Sequence, residues 1–246
     1  MGNKPYYQHA GITIYHGDCR EILPTLRQPD TCIVDPVWPN SVFPNVADPA
    51  ALFASACELL TSERLVVHLG CTSDPRFLQG VPARYAYLRT CWLRYSRPSY
   101  RGRILVGSDV AYAYGIAPPS RKGRQLLSGE ICASNNGTKL WATPKKAVKK
   151  SKHRNEIDYE NLPHPAPRRY EHLTWLVNVF ADKGVLDPFC GTGTTLAAAK
   201  NHGLPAIGIE IEERYCEIAA KRLAQETFDF SDRGDPGKSP LAEEGR

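Results

Sequence analysis

Hydrophobic and polar positions alternate along GITIYHGD (residues 11–18), which predicts a strand ending at a carboxylate. CREILPTL follows as a short helix. The continuous apolar runs TCIVDP (31–36) and RLVVHLG (64–70) predict strands buried on both faces, as in a parallel sheet. Between them DPAALFASACELL (48–60) predicts a helix with Asp48 as N-cap and Pro49 at the first helical position. RYAYLRTCWLRYS and ILVGSDVAYAYG are rich in β-branched and aromatic residues and predict two strands, an antiparallel pair at the sheet edge. From 116 to 161 the periodicity lapses into loop-rich, basic sequence, expected to lie outside the sheet. Regularity returns with YEHLTWLVNVFA (170–181, helix), GVLDPF (184–189, strand), TTLAAAKNHG (194–203, helix), PAIGIE (205–210, strand) and EERYCEIAAKRLAQET (212–227, helix). That order implies βαβ units, hence an α/β fold with a mostly parallel sheet and an antiparallel edge pair. The chain divides into 11–115, a basic insertion 116–161, a second part 162–227 and a polar tail 228–246 expected to be disordered.

The strongest local pattern is VLDPFCGTGTTLAAAKNHGLPAIGIE. A strand ends at Asp187, Gly191 and Gly193 follow, a helix begins, and Glu210 closes the next strand 19 residues after Gly191. Glycines permit a tight turn and close approach of a ligand to backbone. A helix start offers unpaired N–H groups, and a carboxylate at the second strand tip can bind ribose hydroxyls. A nucleoside-bearing cofactor is indicated. A dinucleotide fingerprint needs a small residue where Leu196 stands, and no phosphate-cradling Gly-x-x-x-x-Gly-Lys-Ser/Thr motif occurs. S-adenosylmethionine, a nucleoside without a diphosphate, fits.

The net charge of +5 conceals an asymmetry. From Arg76 to Arg154 ten Arg and seven Lys face only Asp109 and Glu130, a local charge of +15 that leaves −10 for the rest. Tyr85, Tyr87, Trp92, Tyr95 and Tyr100 interleave with these cations, a texture suited to a nucleic-acid face. The eight cysteines are scattered without a Cys-x-x-Cys pair, the pattern of reduced thiols packed in a cytoplasmic protein, so no metal is expected. No apolar run approaches a membrane span, and MGNKPYYQHA lacks a signal-peptide core.

Taken with these patterns, four segments resemble the amino-group DNA methyltransferases, which act on N6 of adenine or N4 of cytosine. DPVW (35–38) looks like their Asp-Pro-Pro-Tyr/Trp motif, and LDPFCGTGTT resembles their Phe-x-Gly-x-Gly cofactor loop. HPAPRRYEHLTWLV (164–177) is similar to the His-Pro segment and helix before that loop, and YHGDCREIL to the Gly-Asp strand end upstream. The motif order looks like the permuted beta class, and the resemblance covers residues 11 to 227. It departs at Val37, where the family has Pro, and at Arg168-Arg169, where it tends to have Lys-Pro.

The resemblance implies a Rossmann-like S-adenosylmethionine-dependent methyltransferase fold, with the insertion as target-recognition region. Asp35 would accept one amine hydrogen of the target base and the Pro36 carbonyl the other, while Trp38 stacks on the ring. Asp187 would sit near the methionine amino group, Phe189 would wall the site, and Gly191, Gly193 and Thr194 would line the cofactor loop. Asp18 would lie at the nucleoside end, and His164 and Arg168 at the methionine end. A duplex hides the amine, so the base must be flipped. The leading Asp leans toward adenine; methylation of the cytosine amine or of RNA stays open, as does a DNA-binding module with a degenerate pocket. DNA is the expected partner in the cytoplasm of a bacterial or phage-infected cell, with a homodimer and a restriction partner left open.

Overall fold

Thr31–Val34 and Arg64–Gly70 are buried at every position, as expected of strands covered on both faces. The computed structural model describes residues 4–37, 46–120, 129–133, 148–150, 155–157 and 169–224. Its strands are β1 (Tyr7–His9), β2 (Ile12–His16), β3 (Thr31–Val34), β4 (Arg64–Gly70), β5 (Tyr87–Arg101), β6 (Ile104–Gly115), β7 (Glu130–Ala133), β8 (Val148–Lys150), β9 (Asn155–Ile157), β10 (Val185–Asp187) and β11 (Ala206–Glu210). The α-helices are α1 (Cys19–Ile22), α2 (Pro49–Glu58), α3 (Tyr170–Phe180), α4 (Thr194–Asn201) and α5 (Glu213–Ala224).

Among the described residues nine strands form one sheet in the order β1-β2-β11-β10-β3-β4-β6-β5-β7. The middle five, β2 to β4, run parallel. Strand β6 turns back antiparallel along β4, and β5 pairs antiparallel with β6. Strands β8 and β9 form a separate antiparallel pair.

Two readings of the sequence are corrected. The antiparallel β5–β6 pair is not the edge, because Glu130–Ala133, placed by its sequence outside the sheet, adds to β5 in parallel. A four-residue strand carries too little pattern to be seen alone; it is defined by the hydrogen bonds that β5 offers it. The strand expected over RYAYLRTCWLRYS is also displaced: β5 begins at Tyr87 and runs on to Arg101, with a bulge between Arg94 and Ser99. The expected tail and residues 225–227 of the last helix lie outside the described residues.

Side-chain alternation sends Ile33 and Val66 to one face and Cys32, Val34, Leu65 and Val67 to the other. The first face packs under α3, α4 and α5; the second packs under α1, α2 and a 3-10 turn at Pro75–Gly80. Asp48 caps α2 by accepting the N–H groups of Ala50 (3.0 Å) and Ala51 (2.9 Å), and Pro49 occupies the first turn. Among the described residues no helix is long and apolar enough to cross a membrane.

The N-terminal ends of the central strands are held by one buried acid. Asp30 Oδ1 accepts the N–H groups of Lys183 and Gly184, each at 2.9 Å, while Oδ2 pairs with the buried Arg64 guanidinium. One carboxylate thus links the starts of β3, β4 and β10. Asp30→Ala leaves the buried Arg64 guanidinium with the half-exposed Glu63 carboxylate (3.3 Å) as its ionic partner and two N–H groups without their acceptor, so a loss of about 3 kcal/mol is expected. Urea unfolding measures it, and a loss below about 1 kcal/mol would contradict the role given to Asp30.

Candidate active site

Strand β10 pairs in register with β3, Val185 with Thr31 and Leu186 with Cys32. It pairs on its other flank with β11, Asp187 opposite Gly208. The chain steps outward from β10 to β11 on one flank and from β3 to β4 on the other, so the loops after β10 and β3 leave the same sheet edge side by side. This is the topological switch point where open α/β sheets bind ligands.

The loop after β10 is set by two left-handed glycines, Gly191 (φ 50°) and Gly193 (φ 76°), the second being the N-cap of α4. A Cβ on Gly193 would meet the Ala219 Cβ at 3.0 Å, so the loop lies close against α5. Glu210 holds it from below: its Oε2 accepts the Gly191 N–H at 2.8 Å and its Oε1 the Glu212 N–H at 2.9 Å. The Ile211 N–H also acts on it, so of the roughly four hydrogen bonds a carboxylate can accept one place remains for a ligand. Burial pushes the Glu210 carboxyl up, while the N–H groups of Glu212 and Gly191 oppose the shift.

Asp187 is buried and accepts the Phe189 N–H at 3.1 Å. Burial pushes its carboxyl up to about 7, against hydrogen bonds from the Thr195 side chain and the Phe189 N–H. The charges of Asp35 and Glu210, at the ends of the two flanking strands, push it further up. Asp35 is half-buried just beyond β3, Pro36 is buried, and Phe189 is half-buried. Asp18 sits two residues beyond His16, which pairs with Glu210, on the same edge. There it caps α1 and accepts Arg20 Nη2 at 2.5 Å, and this bond holds its carboxyl below the usual range. Thr194 is buried, its hydroxyl accepting Arg222 Nη1 at 2.9 Å. Trp38, His164 and Arg168 lie outside the described residues.

Arg222 was not legible in the sequence. Buried on α5, it donates to the Thr192 carbonyl at 3.1 Å as well as to Thr194, fixing the far side of the loop, and burial pushes its pKa down to about 10. Helical spacing marks Arg222 only as part of α5. Gly208 is a second such residue. A Cβ there would meet Leu196 Cδ1 at 2.6 Å and Cys190 Sγ at 2.8 Å. Leu196 stands where a dinucleotide fingerprint has a small residue, and the close helix–strand approach is obtained here by removing the side chain from β11 instead. Cys190 fills the same gap; burial raises its thiol well above the ordinary range, which keeps it protonated and unsuited to nucleophilic attack.

A family model described as DNA methylase, for N6 and N4 methyltransferases, matches residues 88–221. The chain is 25% identical over 266 residues to the Type II methyltransferase M.ScaI of Streptomyces caespitosus, spanning 91% of this chain and 84% of that protein. Among solved structures it is similar to the M1.HpyAVI–SAM complex, with TM-score 0.58, 21% identity, and 87% of this chain and 100% of that one covered. It is also similar to the cytosine-N4-specific PvuII DNA methyltransferase, with TM-score 0.64, 16% identity, and 92% and 90% covered. Both likenesses bear out the α/β fold.

Gly208→Ala is expected to push Leu196 and Cys190 outward and to cost about 1–3 kcal/mol of stability, as overpacking does. Adding Leu196→Ala opens space for the new methyl group, so the two changes together should cost less than their sum. Thermal unfolding of the four proteins in the cycle measures the coupling; strict additivity would show that the two residues do not share this contact.

Proposed function

The chain belongs to the amino-group DNA methylases, and from that membership we propose that it methylates N6 of an adenine flipped out of duplex DNA. S-adenosylmethionine is the methyl donor of this family. The residues present suit it. Asp187 and Glu210 are buried acids at the glycine loop, both pushed up, and a cationic ligand would relieve them. Glu210 keeps a place for a ribose hydroxyl, and the left-handed turns at Gly191 and Gly193 suit a loop that offers backbone to a ligand. When bound, the donor supplies an electrophilic methyl group on a sulfonium.

The chain's own groups do the rest. The exocyclic amine is a weak nucleophile because its lone pair is delocalised into the ring. Asp35 accepts one amine hydrogen and the Pro36 carbonyl the other, which localises the lone pair and stabilises the charge that develops on nitrogen. Trp38, next in the motif, supplies the stacking face. Holding amine and methyl group in line contributes by orientation. The observation that carries the reading is the pairing of β3 with β10, which brings the Asp35–Pro36 tip beside the glycine loop. The adenine assignment is supported by the carboxylate that leads DPVW, since the cytosine-amine members more often carry Ser there. The basic segment 116–161 is proposed as the target-recognition region.

Incubation of unmethylated genomic DNA with the protein and donor, followed by nucleoside mass spectrometry, should yield N6-methyladenine; N4-methylcytosine would overturn the base assignment. Asp35→Ala should abolish incorporation while donor binding persists, and wild-type turnover in that variant would remove Asp35 from the chemistry. The raised Asp187 carboxyl gives a further expectation. It is protonated below about pH 7 in the free protein, and a cation prefers it ionised, so donor affinity should rise with pH up to that value, by up to about tenfold per unit, and level off above it. The dependence should flatten in Asp187→Asn. Calorimetry between pH 5.5 and 8, a window spanning roughly the shifted carboxyl, tests this, and a flat wild-type profile would contradict it.

A further inference from the structure

Pairing of β6 with β4 ends at Asp109 opposite Gly70, yet β6 begins at Ile104. The β5–β6 ribbon therefore continues past the C-terminal edge of the sheet for five residues, roughly 16 Å at strand rise. That edge is the one from which Asp35 and the glycine loop emerge, and β6 lies two strand positions from β3. The ribbon tip pairs Ser99 with Val106, Tyr100 with Leu105 and Arg101 with Ile104, closed by Gly102 (φ 61°) and Arg103.

The tip is apolar where a solvated turn would be polar. Tyr100 is 73% exposed, Ile104 62% and Leu105 53%. Five arginines lie between Tyr87 and Gly115; Arg94, at the base, pairs with Glu130 of β7 at 3.6 Å, and the one acid within the segment, Asp109, is buried. Large exposed apolar side chains set in positive charge mark a surface with a polyanionic, partly apolar partner.

The base of the ribbon is firmly anchored. Tyr95, in the bulge, donates its hydroxyl to Asp109 Oδ2 at 2.5 Å, and His68 Nε2 lies 3.3 Å from the same oxygen. The His172 ring lies against Tyr95 at 5.6 Å and its Nε2 donates to the Arg94 carbonyl at 3.0 Å, while the Arg169 guanidinium covers Tyr95 at 4.3 Å. These contacts tie the ribbon to β4 and to the start of α3. A bulge at such a base re-aims what lies beyond it.

We infer that this ribbon tip enters duplex DNA beside the flipped base, with Tyr100, Ile104 and Leu105 as the wedge that fills the vacated stack. The inference rests on the reading of duplex DNA as substrate. A two-stranded ribbon fits the major groove, and apolar side chains occupy opened base steps at other protein–DNA contacts. Filling the gap offsets the unstacking that flipping requires.

The test needs no knowledge of the recognition sequence. The full chain with donor is titrated, by anisotropy, against a short fluorescein-labelled duplex carrying one abasic site and against its intact counterpart. Wild type should prefer the abasic duplex by at least about fivefold, the lower end of what one stacked ring contributes. Ile104→Ser/Leu105→Ser and Tyr100→Ala should lose the preference, Tyr100→Trp should keep it, and Arg103→Ala should weaken both duplexes alike. Thermal unfolding and donor binding should stay at wild-type values, while methyl incorporation into unmethylated genomic DNA falls about tenfold or more in the double variant, as the lost burial of two aliphatic side chains predicts. Equal incorporation by wild type and the double variant overturns the wedge alone. Unchanged duplex binding with loss of self-association also overturns it, by assigning the tip to a second copy of the chain. A wild type that incorporates no methyl groups overturns the DNA reading and the wedge with it.

Discussion

Parallel pairing of β3 with β10 is the constraint from which the site follows. The two strands come from segments about 150 residues apart in the chain. Held side by side in one direction, they must deliver their following loops to the same edge. One loop begins with Asp35 and Pro36, the other with Pro188 and Phe189. Beneath them burial, and to a lesser extent the charge of Asp35, raises the proton affinity of Asp187 at the end of β10. The buried strands β3 and β10 hold the two tips in place.

The support for that site is mostly backbone. Glu210 binds the loop through N–H groups, Arg222 through a carbonyl and a hydroxyl, and the glycines through the absence of Cβ atoms. Leu196 and Gly208 show how a family can move a space requirement from helix to strand. Where a dinucleotide fold thins the helix, this chain thins β11, so that Leu196 and Cys190 pack directly against its backbone. The larger Leu196 side chain then adds apolar burial under the loop.

The central strands, the three long helices and the glycine loop were legible because periodicity and turn residues speak locally. Asp48 before Pro49 and Gly193 before Thr194 are signals that need no partner. The short strands were hidden for the opposite reason. Tyr7–His9 and Glu130–Ala133 are strands only because β2 and β5 have edges to pair with. In the site, Asp35, Asp187 and Glu210 could be read from strand ends, whereas Arg222 and Gly208 act through packing across elements that no spacing rule connects. The polar cluster of His68, Tyr95, Asp109 and His172 was equally invisible, since its members come from four elements.

The sheet order also governs how the polypeptide is made. The first 115 residues supply β1 and β2 on one side and β3, β4, β6 and β5 on the other, and the gap between these pieces is filled only by β10 and β11. Until residues 185–210 leave the ribosome, β2 and β3 each present an open flank, and the Asp30 carboxylate awaits N–H groups 153 and 154 residues downstream. Contacts of such long sequence separation form slowly, and the nascent chain passes through a stage with bare strand edges. Assembly of the two halves is therefore the committing event of biogenesis, and the catalytic cleft comes into being at that same moment.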